Sequence, residues 1–252
     1  MIDETIINSL QPISLEEMGK VKLMNRIDIK YVSTVANIEE LLKRVYSGYF
    51  IQQIDNYRNM PYYTRYYDTP DVDMFYQHQR GKKTRQKIRT RLYEGTTNLP
   101  FLEIKSKNNN GRTRKKRVMM EVGNDLTFYR NFLQANTEYD FCMLSPQIEN
   151  HFYRVTLVNK AMTERITIDT GIEFHNIVTD NKISLDNLGI IEWKRDGQSP
   201  PSSLEKILRE IGIHESGFSK YCIGMAITNP MLQQNRIKKR LRNINKISPF
   251  MW

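Results

Sequence analysis

The chain has 252 residues, 39% of them hydrophobic, with 14 Tyr, 10 Phe and 12 Met, enough apolar material for a real core, which excludes a disordered protein. Its formal net charge of +10 points to an anionic partner, whether nucleic acid, a membrane surface or a phosphoanion. Two cysteines, Cys142 and Cys222, exclude a disulfide framework, and the scattered His78, His151, His175 and His214 exclude a structural zinc site.

In chain order, residues 1–19 read as a short amphipathic helix with Asp3 or Glu4 near its start, then a turn at Gln11–Pro12. A strand is expected over 21–32 and a helix over 35–47, with Leu41, Leu42 and Val45 on one face. Strands over 49–55 and 62–68 are separated by an Asn/Pro turn, and a short helix follows at 74–78. Three strands come next, 84–93, 101–107 and 113–122, joined by turns at 95–100 and 108–111. A helix over 126–135 precedes strands at 152–158, 164–169, 173–177 and 189–195. Helices over 202–211 and 218–226 close the pattern, ahead of a basic tail at 236–246. That tail reads as solvated and mobile, with charge enough to guide a polyanion or touch anionic lipid. About eight or more strands without βαβ alternation predict an α+β fold, a closed or nearly closed antiparallel barrel with helices outside. No secretory signal and no membrane-length apolar run is present, so a cytoplasmic location is expected.

Side chains alternate faces along a strand, and here that rule sorts the charges. One face collects twelve basic residues: Arg26, Lys30, Lys87, Arg89, Arg91, Lys105, Lys107, Lys115, Arg117, Arg154, Arg165 and Lys194. Five acids share it: Asp28, Glu103, Glu121, Asp169 and Glu192. A single half-buried strand with one charged face usually turns that face to water. Many neighbouring strands with the same cationic bias repel one another unless an anion neutralises them, which favours an enclosed face built for a multiply charged ligand. Arg forks match phosphate oxygens, and Asp28, Glu103, Asp169 and Glu192 are candidates to hold a Mg²⁺ or Mn²⁺ ion on the same phosphates, although for each acid alone a salt bridge with a neighbouring Arg or Lys is the first expectation. The aromatic run 62–67 has the composition for nucleobase stacking, but barrel-exterior packing is the expectation.

Eight segments in order resemble the VTC domain. They are Met24-Asn-Arg-Ile-Asp-Ile-Lys-Tyr-Val32, Tyr66-Tyr-Asp-Thr-Pro70, Arg85-Gln-Lys-Ile-Arg-Thr-Arg-Leu-Tyr93, Phe101-Leu-Glu-Ile-Lys-Ser-Lys107, Lys115-Lys-Arg117, Glu164-Arg-Ile-Thr-Ile-Asp169, Ile191-Glu-Trp-Lys194 and Phe218-Ser-Lys-Tyr221. This is the polyphosphate polymerase domain of the triphosphate tunnel metalloenzyme superfamily. The resemblance divides the chain into a helical segment at 1–19, a tunnel domain at 20–230 and a basic tail at 231–252. It implies an eight-stranded tunnel that binds triphosphate or polyphosphate with Mn²⁺ or Mg²⁺. Lys30, Arg89, Arg91, Lys105, Lys115 and Arg165 match phosphate-holding positions, Glu192 matches the metal-binding glutamate, and Lys220 matches a lysine reaching in from the C-terminal helix. Lys220, Arg89 and Arg91 take the catalytic roles in that reading. The first strand carries Arg26-x-Asp28-x-Lys30 where CYTH-type hydrolases carry Glu-x-Glu-x-Lys, which suits the polymerase branch.

The activity this implies is transfer of the γ-phosphoryl group of ATP to a polyphosphate chain. An inorganic triphosphatase or tripolyphosphatase, or a non-catalytic polyphosphate-binding module, are the alternatives. ATP and polyphosphate or triphosphate are the expected partners, with no nucleic acid. The resemblance also admits a separate membrane protein, through which the chain would associate with a membrane.

Overall fold

The computed structural model describes residues 1–19, 21, 26–94, 99–110, 112–121, 123–197 and 202–250, and of Arg26 only the backbone. The start of the motif at Met24, the phosphate-binding assignment of the Arg26 side chain and most of the turn at 95–100 lie outside the described residues.

The main sheet runs in the order β2 (Arg26–Thr34), β11 (Leu188–Asp196), β9 (Glu164–Asn176), β8 (Ser145–Asn159), β4 (Asn59–Asp68), β5 (Arg85–Tyr93), β6 (Phe101–Lys107) and β7 (Thr113–Met119). Every neighbouring pair on this path is antiparallel. Three short strands attach to it: β1 (Gln11–Ile13) pairs in parallel with β3 (Tyr49–Gln52), β3 joins β8, and β10 (Lys182–Leu185) joins β9. Eight α-helices among the described residues accompany the sheet: α1 (Glu4–Ser9), α2 (Leu15–Met18), α3 (Val35–Val45), α4 (Asp73–Gln79), α5 (Arg130–Asn136), α6 (Ser203–Glu210), α7 (Lys220–Thr228) and α8 (Lys238–Ile247).

The apolar strand phase lies under helices. In β9, β11 and β8, Ile166, Ile168, Ile191, Trp193, Val155 and Leu157 pack against Ile38, Leu41 and Leu42 of α3 and Leu204 and Leu208 of α6. Helix α3 forms there because Ile38, Leu41, Leu42 and Val45 recur on one face and Thr34 caps its start, accepting from the Asn37 amide at 3.2 Å. On the other limb, Ile88, Leu102 and Ile104 of β5 and β6 join Met74 and Phe75 of α4 and Leu133 of α5. Helix α7 is buried beyond Lys220 because it lies close on β8 and β9. A methyl group at Gly224 would come within 2.5 Å of Phe174 and 2.7 Å of Ile148, so only glycine permits that approach.

Several expectations need correction. The sheet is not a closed eight-stranded barrel: among the described residues it has eleven strands, and β2 and β7 stand at its two ends without pairing to each other. The turn between β3 and β4 comes earlier than expected, at 53–58 with the Ile54 and Tyr57 backbones bonded to each other, so β4 begins at Asn59 and runs through Pro61, whose missing amide the pairing with β8 tolerates. The two strands expected at 164–169 and 173–177 are one, β9. Gly171 (φ +58°) sits in it where the pairing with β8 slips a register, a bulge that bends the strand without ending it. The basic tail is not a free segment. It forms α8, docked through the buried Leu241 and Ile244. Ile2, Ile7 and Leu10 of the N-terminal segment belong to the core beneath α3.

Candidate functional site

The charged strand phase faces the concave side of the sheet. Ten basic side chains and three carboxylates among the described residues line one cavity of about 1170 Å³. Lys30 and Asp28 come from β2, Glu192 from β11, Asp169 from β9, Arg154 from β8, Arg85, Lys87, Arg89 and Arg91 from β5, and Lys105 and Lys107 from β6. Arg112 completes the basic set ahead of β7, and Lys220 enters from the first turn of α7. The alternation rule thus finds most of the charged lining, and Lys220 follows from the family resemblance.

Three carboxylates are each outnumbered two to one. Glu103, fully buried, accepts from Arg89 through Nε (2.9 Å) and Nη2 (2.6 Å) and from Lys115 at 2.9 Å. Asp169 takes both forks of Arg154, at 2.5 and 2.7 Å, and also the Lys220 ammonium. Glu192 accepts from Lys30 at 2.7 Å and from Lys194. Each trio fixes two cations and leaves one positive charge over. Two further cations are held by hydroxyls: Lys87 donates to Ser219 Oγ at 2.7 Å, and Arg91 donates to Thr64 Oγ1 at 3.1 Å. Tyr62 and Phe152 stack on each other behind these cations, with centroids 5.0 Å apart. The Arg91 and Arg154 guanidinium carbons lie 4.9–5.8 Å from their centroids, and Lys220 Nζ is 4.0 Å from that of Phe152.

The electrostatics record this excess. Burial pulls Lys220 down to about 8, helped by Arg154 and resisted by Asp169. Lys105 also falls to about 8: protein walls surround it although its side chain reaches solvent in the cavity, and Arg89, Lys30 and Lys87 repel its proton while Glu192 holds it. Burial would raise Glu103, yet Arg89, Arg91 and Lys115 bring it to about 2. Glu192 and Asp169 are likewise held well below the usual carboxylate range, against burial, by Lys30 with Lys194 and by Arg154 with Lys220. For Tyr66, burial pushes the phenol up, but the Arg89 and Arg91 charges prevail and it ends below its ordinary value. His78 on the rim drops to about 2 through burial and the charges of Lys87, Arg85, Arg240 and Lys107. It is neutral.

Not every expected residue reaches the cavity. Lys115 stays beside it as a partner of Glu103, and Arg117 lies over the Phe101 ring at 4.8 Å. Arg165 is on the same sheet face as Asp169 but further back along β9, where its Nη2 donates to the Met18 carbonyl at 3.2 Å. Arg154, opposite Asp169, is in the lining, and Arg165 is not. Lys194 is a partner of Glu192 and is not itself in the lining. Tyr62 and Tyr66, expected on the exterior, face inward. Sequence reading missed Arg85, Arg112 and His78. Arg85 sits in the same phase as Lys87 and extends that signal by one step, whereas Arg112 and His78 come from a turn and a helix, outside any strand alternation.

Among the described residues no three His, Cys, Asp or Glu side chains gather into a ready metal cage. Glu103, Asp169 and Glu192 each hold two cations, and Glu103 is not in the cavity lining. A phosphate-bound Mg²⁺ or Mn²⁺ ion needs only one or two carboxylates, because the ligand supplies further oxygens. Glu192 and Asp28, which both line the cavity on the adjacent β11 and β2, fit that more modest demand.

Comparison with solved structures gives distant likenesses. A "putative adenylate cyclase" from Bacillus halodurans aligns at 13% identity over 78% of this chain and 96% of its own, with a TM-score of 0.49. A protein of the same description from Vibrio parahaemolyticus aligns at 11% identity over 79% and 96%, with a TM-score of 0.44. At this level neither bears on what the chain does. The family comparison is of a different order, for the model of the VTC domain matches residues 25–229, the stretch that builds β2 through α7 and every cation trio described above. The chain belongs to the VTC domain family.

Proposed function

We propose that the cavity holds the phosphate chains of ATP and of inorganic polyphosphate, and that the protein transfers the γ-phosphoryl group of ATP to the polyphosphate end. The observation that carries this reading is the ten-to-three excess of cations over carboxylates around one cavity. Nothing in the sheet's own packing calls for that charge. Membership of the VTC domain family supports the same substrate class.

A terminal polyphosphate oxygen attacks the γ-phosphorus, the bond from that phosphorus to the β–γ bridging oxygen breaks, and ADP leaves. Such a transfer asks little covalent work of the protein and much positioning and charge neutralisation. Arg89 and Arg154 are pre-aimed by Glu103 and Asp169, so their guanidinium planes lose little freedom when phosphate oxygens arrive. Lys220, Lys105 and Arg91 add charge from three separate elements. Lys30 and Lys87 extend the lining on either side. A Mg²⁺ or Mn²⁺ ion would be held by Glu192 with Asp28 and would supply further positive charge against the phosphates.

The test is incubation with ATP and Mn²⁺, resolved on a polyphosphate-stained gel. Chains longer than the primer are expected. Inorganic phosphate released from tripolyphosphate without chain growth would replace this reading with a hydrolase, and tight binding without turnover under either metal would replace it with a binding module.

A further inference from the structure

Helix α8 carries the strongest unneutralised charge outside the cavity. From Arg236 to Lys246 the sequence has six basic residues and no acid. Among the described residues none of the six has a carboxylate within salt-bridge distance. Arg236 instead donates to the Arg80 carbonyl at 3.0 Å, which ties the start of the segment to the end of α4. At its far end the Ile247 carbonyl accepts from Asn187 Nδ2, also at 3.0 Å. With Leu241 and Ile244 buried, the helix is held in one orientation.

That orientation sets the charges in order. At 3.6 residues per turn, Lys238, Lys239, Arg242 and Lys246 fall within about 100° of arc and run about 12 Å along the axis. All four are exposed. Arg240 lies on another side of the helix, and its guanidinium stands 3.4 Å from where a Cβ on Gly217 would be. Gly217 directly precedes Phe218, Ser219 and Lys220, which line the cavity. Arg240 is also among the charges acting on His78, together with the rim residues Arg85 and Lys107. The stripe and the cavity rim are therefore neighbours, with Arg240 between them.

We infer that α8 is an external binding surface for inorganic polyphosphate, taking the length of chain that extends out of the cavity past His78 and then Arg240. The inference rests on the reading of the cavity as a phosphate-chain site and adds to it a second foothold that only long chains can reach. A flexible polyanion suits the stripe, because evenly spread ammonium and guanidinium groups without carboxylate partners recognise charge density and release counterions when they are covered. Tethering by the cavity makes the second binding event intramolecular, so even a weak stripe raises long-chain affinity.

The experiment compares two ligands, tripolyphosphate and long-chain polyphosphate, on the full chain and on the variant Lys238→Gln/Lys239→Gln/Arg242→Gln/Lys246→Gln. Tripolyphosphate affinity is expected to stay within about twofold, whereas long-chain affinity falls about tenfold or more at low salt. The slope of log K against log salt should become shallower by about one for each phosphate that the stripe no longer neutralises. Unchanged long-chain affinity, or equal losses for both ligands, would overturn the proposal. Binding of phosphatidylserine vesicles that the variant loses, with long-chain affinity intact, would overturn it in favour of a membrane surface. Failure of the unaltered protein to bind either phosphate ligand would remove the cavity reading itself, a result distinct from failure of the stripe alone. The milder Lys238→Gln/Arg242→Gln variant makes the same comparison should the fourfold one unfold.

Discussion

Replacing Asp169 by Asn probes the charge arrangement most sharply, because the change is nearly isosteric and removes only the anion. Asp169 is 3% exposed and holds both Arg154 and Lys220, whose side chains keep 17% and 11% of their surface toward the cavity. Breaking a buried pair costs about 3–5 kcal/mol, since the partner charge is left uncompensated. The residual access of the two cations places this case near about 3 kcal/mol, at the lower end of that range. For a chain of this size each kcal/mol moves Tm by about 2–4 °C, so the unliganded variant should melt roughly 6–12 °C below the parent. Tripolyphosphate supplies anionic oxygens to the same two cations and should recover part of the loss. Thermal melts with and without tripolyphosphate should therefore show a larger ligand-induced rise in Tm for Asp169→Asn than for the parent. An unliganded Tm equal to the parent's, or a ligand-induced rise no larger than the parent's, would refute the argument that carboxylate and phosphate compete for one cation pair.

Further expectations follow the same geometry. Arg89→Ala and Arg91→Ala each remove a charged donor and should weaken tripolyphosphate binding by about 1–3 kcal/mol, measured by calorimetric titration; unchanged affinity in both would count against the cavity. Glu192→Gln should lose most of the Mn²⁺ or Mg²⁺ dependence of phosphate-chain binding while metal-free binding persists, and an unaltered metal response would reassign that residue to holding Lys30. Lys105 and Lys220, both near 8 rather than the ordinary lysine value of about 10.4, give opposite pH trends for binding and stability. Between about pH 8 and 10 the unfolded chain binds more protons at these sites, so unliganded stability should gain a favourable contribution as pH rises. Over the same window the cavity loses charge, so tripolyphosphate affinity should fall, by at most about tenfold per pH unit for each lysine. Trp193→Phe is a control outside the cavity. Trp193 Nε1 donates to the buried Glu164 at 2.8 Å, and losing that bond should cost about 1–3 kcal/mol of stability while leaving phosphate affinity unchanged.

The lining was legible where a strand carries it. Lys87, Arg89 and Arg91 alternate with Ile88 and Thr90, and period two alone places them on one face. What alternation cannot supply is depth along the strand. Arg165 and Arg154 carry the same charge, and only the register of β8 on β9, slipped at the Gly171 bulge, sets Arg154 opposite Asp169. Closure was equally out of reach, since it depends on whether β2 meets β7, a meeting of distant segments that no local pattern encodes. Helix α8 was misjudged because its charge dominates its composition, while Leu241 and Ile244, the pair that docks it, are three residues apart and easily overlooked. A salt bridge to a neighbouring Arg or Lys is the first expectation for each acid on a basic face. Which cations Glu103, Asp169 and Glu192 hold is visible only from distances.

The most direct measurement is a crystal structure of the protein soaked with tripolyphosphate and Mn²⁺, with data collected at the manganese absorption edge. Phosphate density is expected among Arg89, Arg91, Lys105, Arg154 and Lys220, with the anomalous peak on the Glu192 side. Phosphate confined to the outer surface, with the cavity empty at saturating ligand, would contradict the account.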